Sequence, residues 1–189
     1  SFESPFNDLD SNTKSTLNIL EIIRKTLPKC KFILGSTFVV IGKPDKLPVN
    51  EQTACNPTTL YGVNRLSSEY YTKIYNQVYG INTNIFRITN SFGPKEQIIP
   101  NKNAINYLIH KAFKNEDITI YNHGKFFRDI IFISDVVSAI NQIIKKGKTG
   151  ELYWISSNKK TWFYQIGSEL EKLTKAKTKY VKQPKYTKK

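Results

Sequence analysis

Apolar positions follow two spacings along the chain, and each spacing predicts a different kind of element. Over residues 12–27 they recur every three or four residues and stop before Pro28, which predicts an amphipathic helix. The run 31–42 is almost continuously apolar and rich in β-branched residues, which is typical of a parallel strand buried on both faces. The same patterns then predict helices over 58–79, 104–114, 134–146 and 162–174, and strands over 82–90, 117–121 and 150–157.

Capping residues support these helices. Gly80 stands where a helix that ends at Tyr79 needs a left-handed residue, a Ser-Asp pair begins the 134–146 helix, and Thr161 is the predicted N-cap of the last helix. Helices alternate with strands, which predicts βαβ units. The expected fold class is therefore α/β, with an incomplete doubly wound, Rossmann-type parallel sheet.

The net charge of +14 is uneven along the 189 residues. Residues 172–189 hold eight lysines and no acidic residue, and the rest of the chain has an excess of only six basic groups. A nucleic-acid-binding surface usually has clustered arginines with aromatic residues between them, whereas this chain has four scattered arginines. The charge therefore favours a solvated lysine-rich surface, and a nucleic-acid binder acting through the lysine-rich end is kept as a remote alternative.

The sequence indicates neither a membrane segment nor a metal site. It has no run of 18 apolar residues, and its first residues show no signal-peptide pattern. Cys30 and Cys55 lack CxxC spacing, and no cluster of metal-ligand residues is evident. Isolated cysteines favour a reducing compartment, so a cytoplasmic protein without a metal is expected.

Tyr61 and Arg65 are the first candidates for chemistry. They are four residues apart, so they lie one turn apart on one face of the predicted helix. A phenol is a weak base at neutral pH, and a nearby cation favours its ionised form, which suits proton transfer with an alcohol. The spacing alone is common and also fits an ordinary helix surface. Thr37 and Asn90 come at the carboxyl ends of predicted parallel strands, where open α/β sheets bind ligands, so a pocket is expected there.

A glycine-rich phosphate-binding turn is missing from the sequence. None of the nine glycines forms GxGxxG or GxxGxxG, and the chain opens with a loop and a helix rather than a strand. Two interpretations remain: the protein does not bind a dinucleotide, or the opening strands of its sheet lie outside this chain.

Four ordered motifs resemble one known family. STFVVIG, YGVNR, RITNSFGP and GKFFRDIIFISDV are similar, in order and spacing, to motifs of the extended short-chain dehydrogenase/reductases. Among these, the chain resembles the NAD-dependent nucleotide-sugar epimerases and dehydratases over nearly its whole length. The resemblance implies NAD or NADP as cofactor, a nucleotide-diphosphate sugar as substrate, and a homodimer of the full-length protein.

The resemblance also implies a role for each matching residue. Thr37 would bind the sugar hydroxyl, and Tyr61 would be the catalytic base. Arg65 stands where the family has a lysine that contacts the nicotinamide ribose and assists the tyrosine, and Asn12 matches an asparagine in the helix under the active site. The cofactor-binding residues implied are Tyr61, Arg65 and Asn12. The substrate-binding residues implied are Thr37 at the sugar, Asn90 and Arg128 at the diphosphate, and Tyr121 at the nucleotide base.

Departures from the family pattern narrow the expected reaction. Arg65 keeps a permanent charge but is larger than lysine and planar, a change that can reduce or abolish activity. Phe38 and Val39 occupy positions where related dehydratases carry acidic residues, and Ile41 replaces a usual tyrosine. The implied function is epimerisation, at sugar C4 through a transient 4-keto intermediate. A 4,6-dehydratase or reductase of the same family, or a catalytically weakened nucleotide-sugar-binding relative, remains an alternative.

The family's domain layout divides the chain into two parts. Residues 1–93 and 124–158 would be the second half of an NAD-binding Rossmann domain, and residues 94–123 and 159–189 would be part of a small C-terminal nucleotide-sugar-binding domain. In the family the glycine-rich turn precedes the helix with which this chain opens, and the sequence continues beyond the position of Lys189. The chain is therefore expected to be a fragment, truncated at both ends and inactive by itself.

Overall fold

The computed structural model describes residues 3–99 and 103–182, which form two compact units. The first unit contains the residues up to Thr89 together with Val137–Ile155. The second contains Asn90–Val136 together with the residues from Ser156 onward. The functional domain boundaries expected from the family stay a prediction.

Six α-helices and nine strands are assigned among the described residues. The helices are α1 (Pro5–Leu9), α2 (Ser15–Thr26), α3 (Leu60–Tyr79), α4 (Ala104–Phe113), α5 (Ile133–Lys146) and α6 (Phe163–Leu173). The strands are β1 (Phe32–Thr37), β2 (Thr83–Ile88), β3 (Asn90–Phe92), β4 (Ile118–Tyr121), β5 (Phe127–Arg128), β6 (Ile130–Phe132), β7 (Leu152–Ile155), β8 (Thr161–Trp162) and β9 (Thr178–Val181).

The sheet of the first unit has the order β1-β2-β7, and both of its pairings are parallel. Ser36 lies opposite Arg87, and Arg87 lies opposite Trp154, so these three residues form one row across the sheet. Helices separate the strands along the chain, as parallel pairing requires. The α/β class with a parallel sheet is therefore confirmed.

The prediction of a strand over 31–42 is correct only for its first half. β1 ends at Thr37, and Phe38–Ile41 form a 3-10 turn. The Thr37 hydroxyl oxygen accepts a hydrogen bond from the Val39 backbone N–H at 3.3 Å. A threonine that satisfies a backbone donor in this way competes with strand continuation, which explains why an apolar, β-branched run stops being a strand here.

The first predicted helix begins earlier than its apolar spacing indicates. Helical backbone starts at Pro5 rather than residue 12, which suits a proline whose fixed φ favours the first turn. Between α1 and α2, residues Asp10–Lys14 form a π-helical segment. That segment shifts the helical phase, so a search for 3.6-residue spacing finds only the part that follows it.

The C-terminal end of α3 confirms the signal predicted at Gly80, whereas the predicted cap of the last helix is wrong. The Thr59 side chain accepts a bond from the Gly62 N–H at 3.0 Å, and Gly80 adopts a left-handed conformation with φ of 67°. Thr161 lies in β8 instead of capping α6. Trp162 is the N-cap residue, and its N–H donates to the Gln165 side-chain oxygen at 3.0 Å. Strand pairing with β5 thus takes precedence over the capping preference of a threonine.

Each unit has its own hydrophobic core. In the first unit Leu20, Ile23, Tyr75 and Ile81 are buried together where α2, α3 and the residues before β2 meet. The second unit buries a larger cluster: Ile105, Leu108, Ala112, Ile118, Ile120, Phe163, Leu170 and Ala176. Trp154 and Trp162 are only half-buried: the Trp154 ring lies beside the Arg87 guanidinium, and the Trp162 ring lies against Phe127.

Two further properties follow from the described residues. Within 3–99 and 103–182 no helix has the length and apolar character needed to cross a bilayer. In the same ranges no group of three or more His, Cys, Asp or Glu side chains is arranged to hold a metal ion.

The lysine-rich end is described only in part. Lys172 and Lys179 form ion pairs with Glu169 and Asp117, and residues 183–189 lie outside the described residues.

Candidate active site

Thr37 lies at the carboxyl end of β1, which pairs in parallel with β2. It is the last residue of β1, its side chain is buried, and the chain turns immediately after it. Because the hydroxyl oxygen accepts the Val39 N–H, its own proton remains available to a further acceptor. This is the edge of a parallel sheet where ligands bind in open α/β folds.

The first turn of α3 is packed against the turn that follows Thr37. Gly62 has no side chain, and a Cβ added to it would lie 3.1 Å from the Val39 carbonyl oxygen and 2.8 Å from the Pro57 side chain. Only glycine therefore allows this close approach. Tyr61, the preceding residue, is 37 % exposed, so the phenol is not sequestered in the core.

Arg65 and Asn12 are in contact, and their assignment to cofactor binding stays a prediction. The Arg65 Nη1 donates to Asn12 Oδ1 at 3.4 Å, and Asn12 Nδ2 donates to the Asp8 backbone carbonyl at 2.9 Å. The buried Nε of Arg65 has no partner among the described residues. It is a donor that a bound ligand could satisfy.

Asn12 lies in the π-helical segment, and its backbone carbonyl ties that segment to α3. The carbonyl oxygen accepts from the Ser68 hydroxyl at 2.9 Å and from the Thr16 hydroxyl at 2.7 Å. The Thr13 hydroxyl also donates to the Asn64 carbonyl at 3.1 Å. A π-helical turn inside a helix frequently marks a functional site. Here it lets one asparagine present its side chain to Arg65 while its carbonyl holds α3.

Asn90, Tyr121 and Arg128 all lie in the second unit. Asn90 begins β3, and its side-chain amide donates to the Asp129 carbonyl at 3.1 Å. Tyr121 ends β4 and is exposed. The Arg128 guanidinium is also exposed, donates to the Phe127 carbonyl at 2.9 Å and lies 5.7 Å from the centre of the Phe126 ring. Tyr121 and Arg128 are accessible and Asn90 is half-buried, and their assignment to substrate binding stays a prediction.

The second unit also contains a surface depression of about 440 Å³. Apolar side chains of β3, α4 and β6 line it together with polar and charged side chains. The lining residues include Phe92, Ile109, Phe132, Lys95, Glu96 and His110. Asn90, Tyr121 and Arg128 are not among its lining residues. The depression therefore does not coincide with the residues that sequence reasoning assigns to the substrate.

Sequence reasoning missed a buried ionic cluster between α3 and β2. Glu69 of α3 and Arg87 of β2 are 1 % and 2 % exposed, and they form a two-pronged ion pair with distances of 3.0 and 2.7 Å. Burial by itself lowers the pKa of the Arg87 guanidinium, but its contacts with Glu69 and Cys55 outweigh burial and raise that pKa. A charged residue inside the apolar run IFRIT was the signal that could have revealed the pair.

Comparison with known proteins gives the family. The model of the NAD dependent epimerase/dehydratase family matches residues 1–156. The chain belongs to this family. Its place among the extended short-chain dehydrogenase/reductases, inferred above from four motifs, is thereby confirmed.

Relatives named as an epimerase and as a dehydratase resemble the chain. A Methanocaldococcus jannaschii protein provisionally named UDP-glucose 4-epimerase is 36 % identical over 140 residues, which cover 74 % of this chain and 46 % of the relative. A dTDP-glucose 4,6-dehydratase of Xanthomonas campestris is 29 % identical over 172 residues, covering 84 % of this chain and 47 % of the relative. This chain thus spans about half the length of these curated relatives.

A solved structure shows the same fold. The UDP-glucose 4-epimerase of Thermotoga maritima, determined with UDP-glucose, superposes with a TM-score of 0.87 at 25 % identity and is matched over 96 % of this chain and 59 % of its own. The incomplete Rossmann-type architecture is therefore confirmed.

Proposed function

We propose that this chain carries the catalytic part of a NAD-dependent nucleotide-sugar epimerase that inverts C4 of the sugar. The observation that carries the proposal is the packing of the Tyr61 turn of α3 on the turn that follows Thr37. Two groups able to exchange a proton with an alcohol are thereby held on adjoining elements. Relatives and a structural neighbour named as UDP-glucose 4-epimerases support the same reaction.

The immediate neighbours of Thr37 favour epimerisation over dehydration. Elimination of water needs an additional acid and base, and the residues after Thr37 are Phe38 and Val39, whose side chains cannot transfer a proton. Epimerisation needs proton transfer at one hydroxyl only. Tyr61 and Thr37 are sufficient for that step.

In the proposed mechanism each residue has one task. The phenolate of Tyr61 removes the proton of the sugar 4-hydroxyl and later returns it. The Thr37 hydroxyl donates to the same oxygen and stabilises the charge that develops there. Arg65, one helical turn from Tyr61, supplies a permanent positive charge on the same face of α3. NAD, when bound, would supply the hydride acceptor and donor for C4.

The residues present fit a bound cofactor on the Arg65 side of the site. The buried Arg65 Nε has an unused hydrogen, and Asn12 Oδ1 accepts at a long distance of 3.4 Å, which leaves it able to rearrange. Donor and acceptor together suit the hydroxyl groups of a ribose. In the second unit Arg128, exposed and forked, would bind the substrate diphosphate, with Asn90 and Tyr121 as further contacts.

The reaction is tested by following the C4 hydrogen in the complete protein. With a UDP-hexose deuterated at C4, we expect an interconverted C4 epimer that retains the label, because only the hydroxyl proton exchanges with Tyr61 and solvent. Mass spectrometry and proton NMR of the product distinguish the outcomes. Formation of a dehydrated 4-keto-6-deoxy sugar would identify a dehydratase instead and overturn the proposal.

A catalytically weakened binding protein is the second candidate, because Arg65 stands where the resembled family has a lysine, and a planar guanidinium does not replace an ammonium group at a packed site. We expect Arg65→Lys to raise turnover, since an ammonium group keeps the charge and restores the family's residue. Arg65→Met should lower turnover about 10-fold or more, because the site loses its permanent positive charge. Steady-state kinetics of the two variants decide: absence of turnover in both variants and the parent, with nucleotide-sugar binding retained, indicates a binding role.

The homodimer of the full-length protein is also proposed here. The exposed faces of α2 and α3 carry apolar residues, among them Ile22, Val63 and Ile74, which fits such an interface. Nucleic-acid binding through residues 172–189 also stays a remote alternative.

A further inference from the structure

The buried carboxylate of Glu69 connects the helix of Tyr61 to the strand of Thr37. It lies on α3 two turns after Tyr61, which places it about 12 Å further along the helix axis. Its Oε1 accepts a hydrogen bond of 2.5 Å from the hydroxyl of Ser36, the residue directly before Thr37. One hydrogen bond therefore joins the two elements that hold the proposed catalytic groups.

Arg87 fixes this carboxylate from the neighbouring strand. Its Nε and Nη2 bind the two carboxylate oxygens at 3.0 and 2.7 Å, an arrangement that sets both the position and the rotation of the carboxylate plane. Arg87 lies opposite Ser36 in the sheet, and the Trp154 ring lies 5.6 Å from its guanidinium carbon. Glu69 is thus bound to β1 and β2 at the same level of the sheet.

Arg87 also reaches the segment that leads into α3. Its Nη2 lies 3.0 Å from the sulfur of Cys55, two residues before Pro57, which touches the first turn of α3. The helix is therefore held at Glu69 in its middle, and the loop before its first turn is held at Cys55, by a single guanidinium. Movement of Arg87 or Glu69 would be transmitted to Tyr61 through a stiff helix.

Stability alone does not explain a buried ionic cluster at this place. Desolvation of two charges consumes much of the attraction between them, and a well-packed apolar pair of similar volume is often as stable. What the ion pair and the Ser36 bond add is a fixed geometry. A displacement of about 1 Å at a reacting group can lower a rate about 10²-fold.

We propose that Glu69 is a positioning residue, which, held by Arg87 and bound by Ser36, sets the position of Tyr61 relative to Thr37. The inference rests on the proposed function, because it assigns these two residues to the reaction. It adds a requirement that the reaction chemistry does not reveal. Correct spacing of the phenol and the hydroxyl depends on a carboxylate two helical turns away.

Ser36→Ala in the complete protein is the decisive variant, because it removes the link to β1 and leaves the Glu69–Arg87 pair intact. We expect kcat to fall about 10- to 100-fold with KM nearly unchanged. Amide hydrogen exchange, measured without substrate, should accelerate at least several-fold over 38–41 and 60–63 and remain unchanged in β2. Thr72→Val is the matched control: Thr72 is buried on the same helix, and within residues 3–99 and 103–182 its side chain bonds only to the Ser68 carbonyl of that helix.

The possible outcomes separate the two proposals. If Ser36→Ala lowers the melting temperature as much as Thr72→Val does, and changes neither kcat nor exchange, Glu69 is only structural and the inference is overturned. If the exchange rates respond as expected but Tyr61→Phe remains active, the mechanical link stands and the proposed function fails. A response of both kcat and exchange in Ser36→Ala, with neither changed in Thr72→Val, supports the inference.

Discussion

Tyr61→Phe in the complete protein should abolish epimerisation while nucleotide-sugar binding persists. The substitution removes one oxygen from a side chain that is partly exposed and that forms no hydrogen bond within the described part of the chain. The fold therefore loses nothing, whereas the sugar hydroxyl loses the group that accepts its proton. Positioned general bases contribute about 10²–10⁴-fold to a rate, and a loss in that range is expected in kcat. Steady-state kinetics and calorimetric titration with the nucleotide sugar measure the two effects separately.

Tyr70→Phe is the matched control for this experiment. Tyr70 lies on the same helix and is more exposed than Tyr61, so the same oxygen is removed from a comparable surface. Its activity should equal that of the parent protein. If both variants retain full turnover, Tyr61 has no part in the chemistry. If both lose it, the effect comes from the helix and not from the phenol.

The fold could be predicted from the sequence where local signals and tertiary packing agree. The C-terminal end of α3 followed from Gly80, which the structure places as its left-handed cap, whereas the cap at Thr59 emerged only from the structure. Parallel pairing of β1 and β2 followed from their apolar, β-branched runs. These signals act within a few residues, so one sequence contains all the information they need.

Prediction was wrong where a longer-range contact decided the local structure. Thr161 has the preference of a helix cap but lies in β8, where it pairs with Arg128 of β5. The two residues are far apart in the sequence, so a pattern over a few neighbouring residues does not show this contact. The π-helical segment at Asp10–Lys14 depends on bonds between Asn12 and α3, more than fifty residues away. Local propensity was outweighed in both places by hydrogen bonds with distant elements.

Some features of the candidate site could likewise be predicted from the sequence, and others could not. The Tyr61–Arg65 spacing was readable because helical periodicity fixes it, whereas the end of β1 at Thr37 was not, because the apolar run continues to residue 42. The Glu69–Arg87 pair was not identified, since its partners lie on different elements and, although Arg87 stands out inside an apolar run, Glu69 by itself resembles a surface charge. The three expected substrate contacts in the second unit rest on the family resemblance and remain predictions.

The Glu69–Arg87 pair yields the second large expected effect, this time on stability. Arg87→Met leaves the Glu69 carboxylate buried without its counter-ion, and breaking one side of a buried pair costs about 3–5 kcal/mol of the free energy of unfolding. The double variant Arg87→Met with Glu69→Leu removes both charges and should recover most of that loss. Urea denaturation, monitored by circular dichroism, gives the free energies for both.

The exposed pair Lys172–Glu169 provides a control in which only burial differs. Its N–O distance is 2.7 Å, the same as the shorter contact between Arg87 and Glu69, but its side chains are 65 % and 63 % exposed rather than 3 % and 1 %. Lys172→Met should therefore cost about 0–1 kcal/mol, because water replaces the lost partner. A loss below 1 kcal/mol in Arg87→Met as well would mean that water or a structural shift neutralises the buried carboxylate. In that case Glu69 could not hold α3 in one position, and the proposed link between Tyr61 and Thr37 would lose its physical basis.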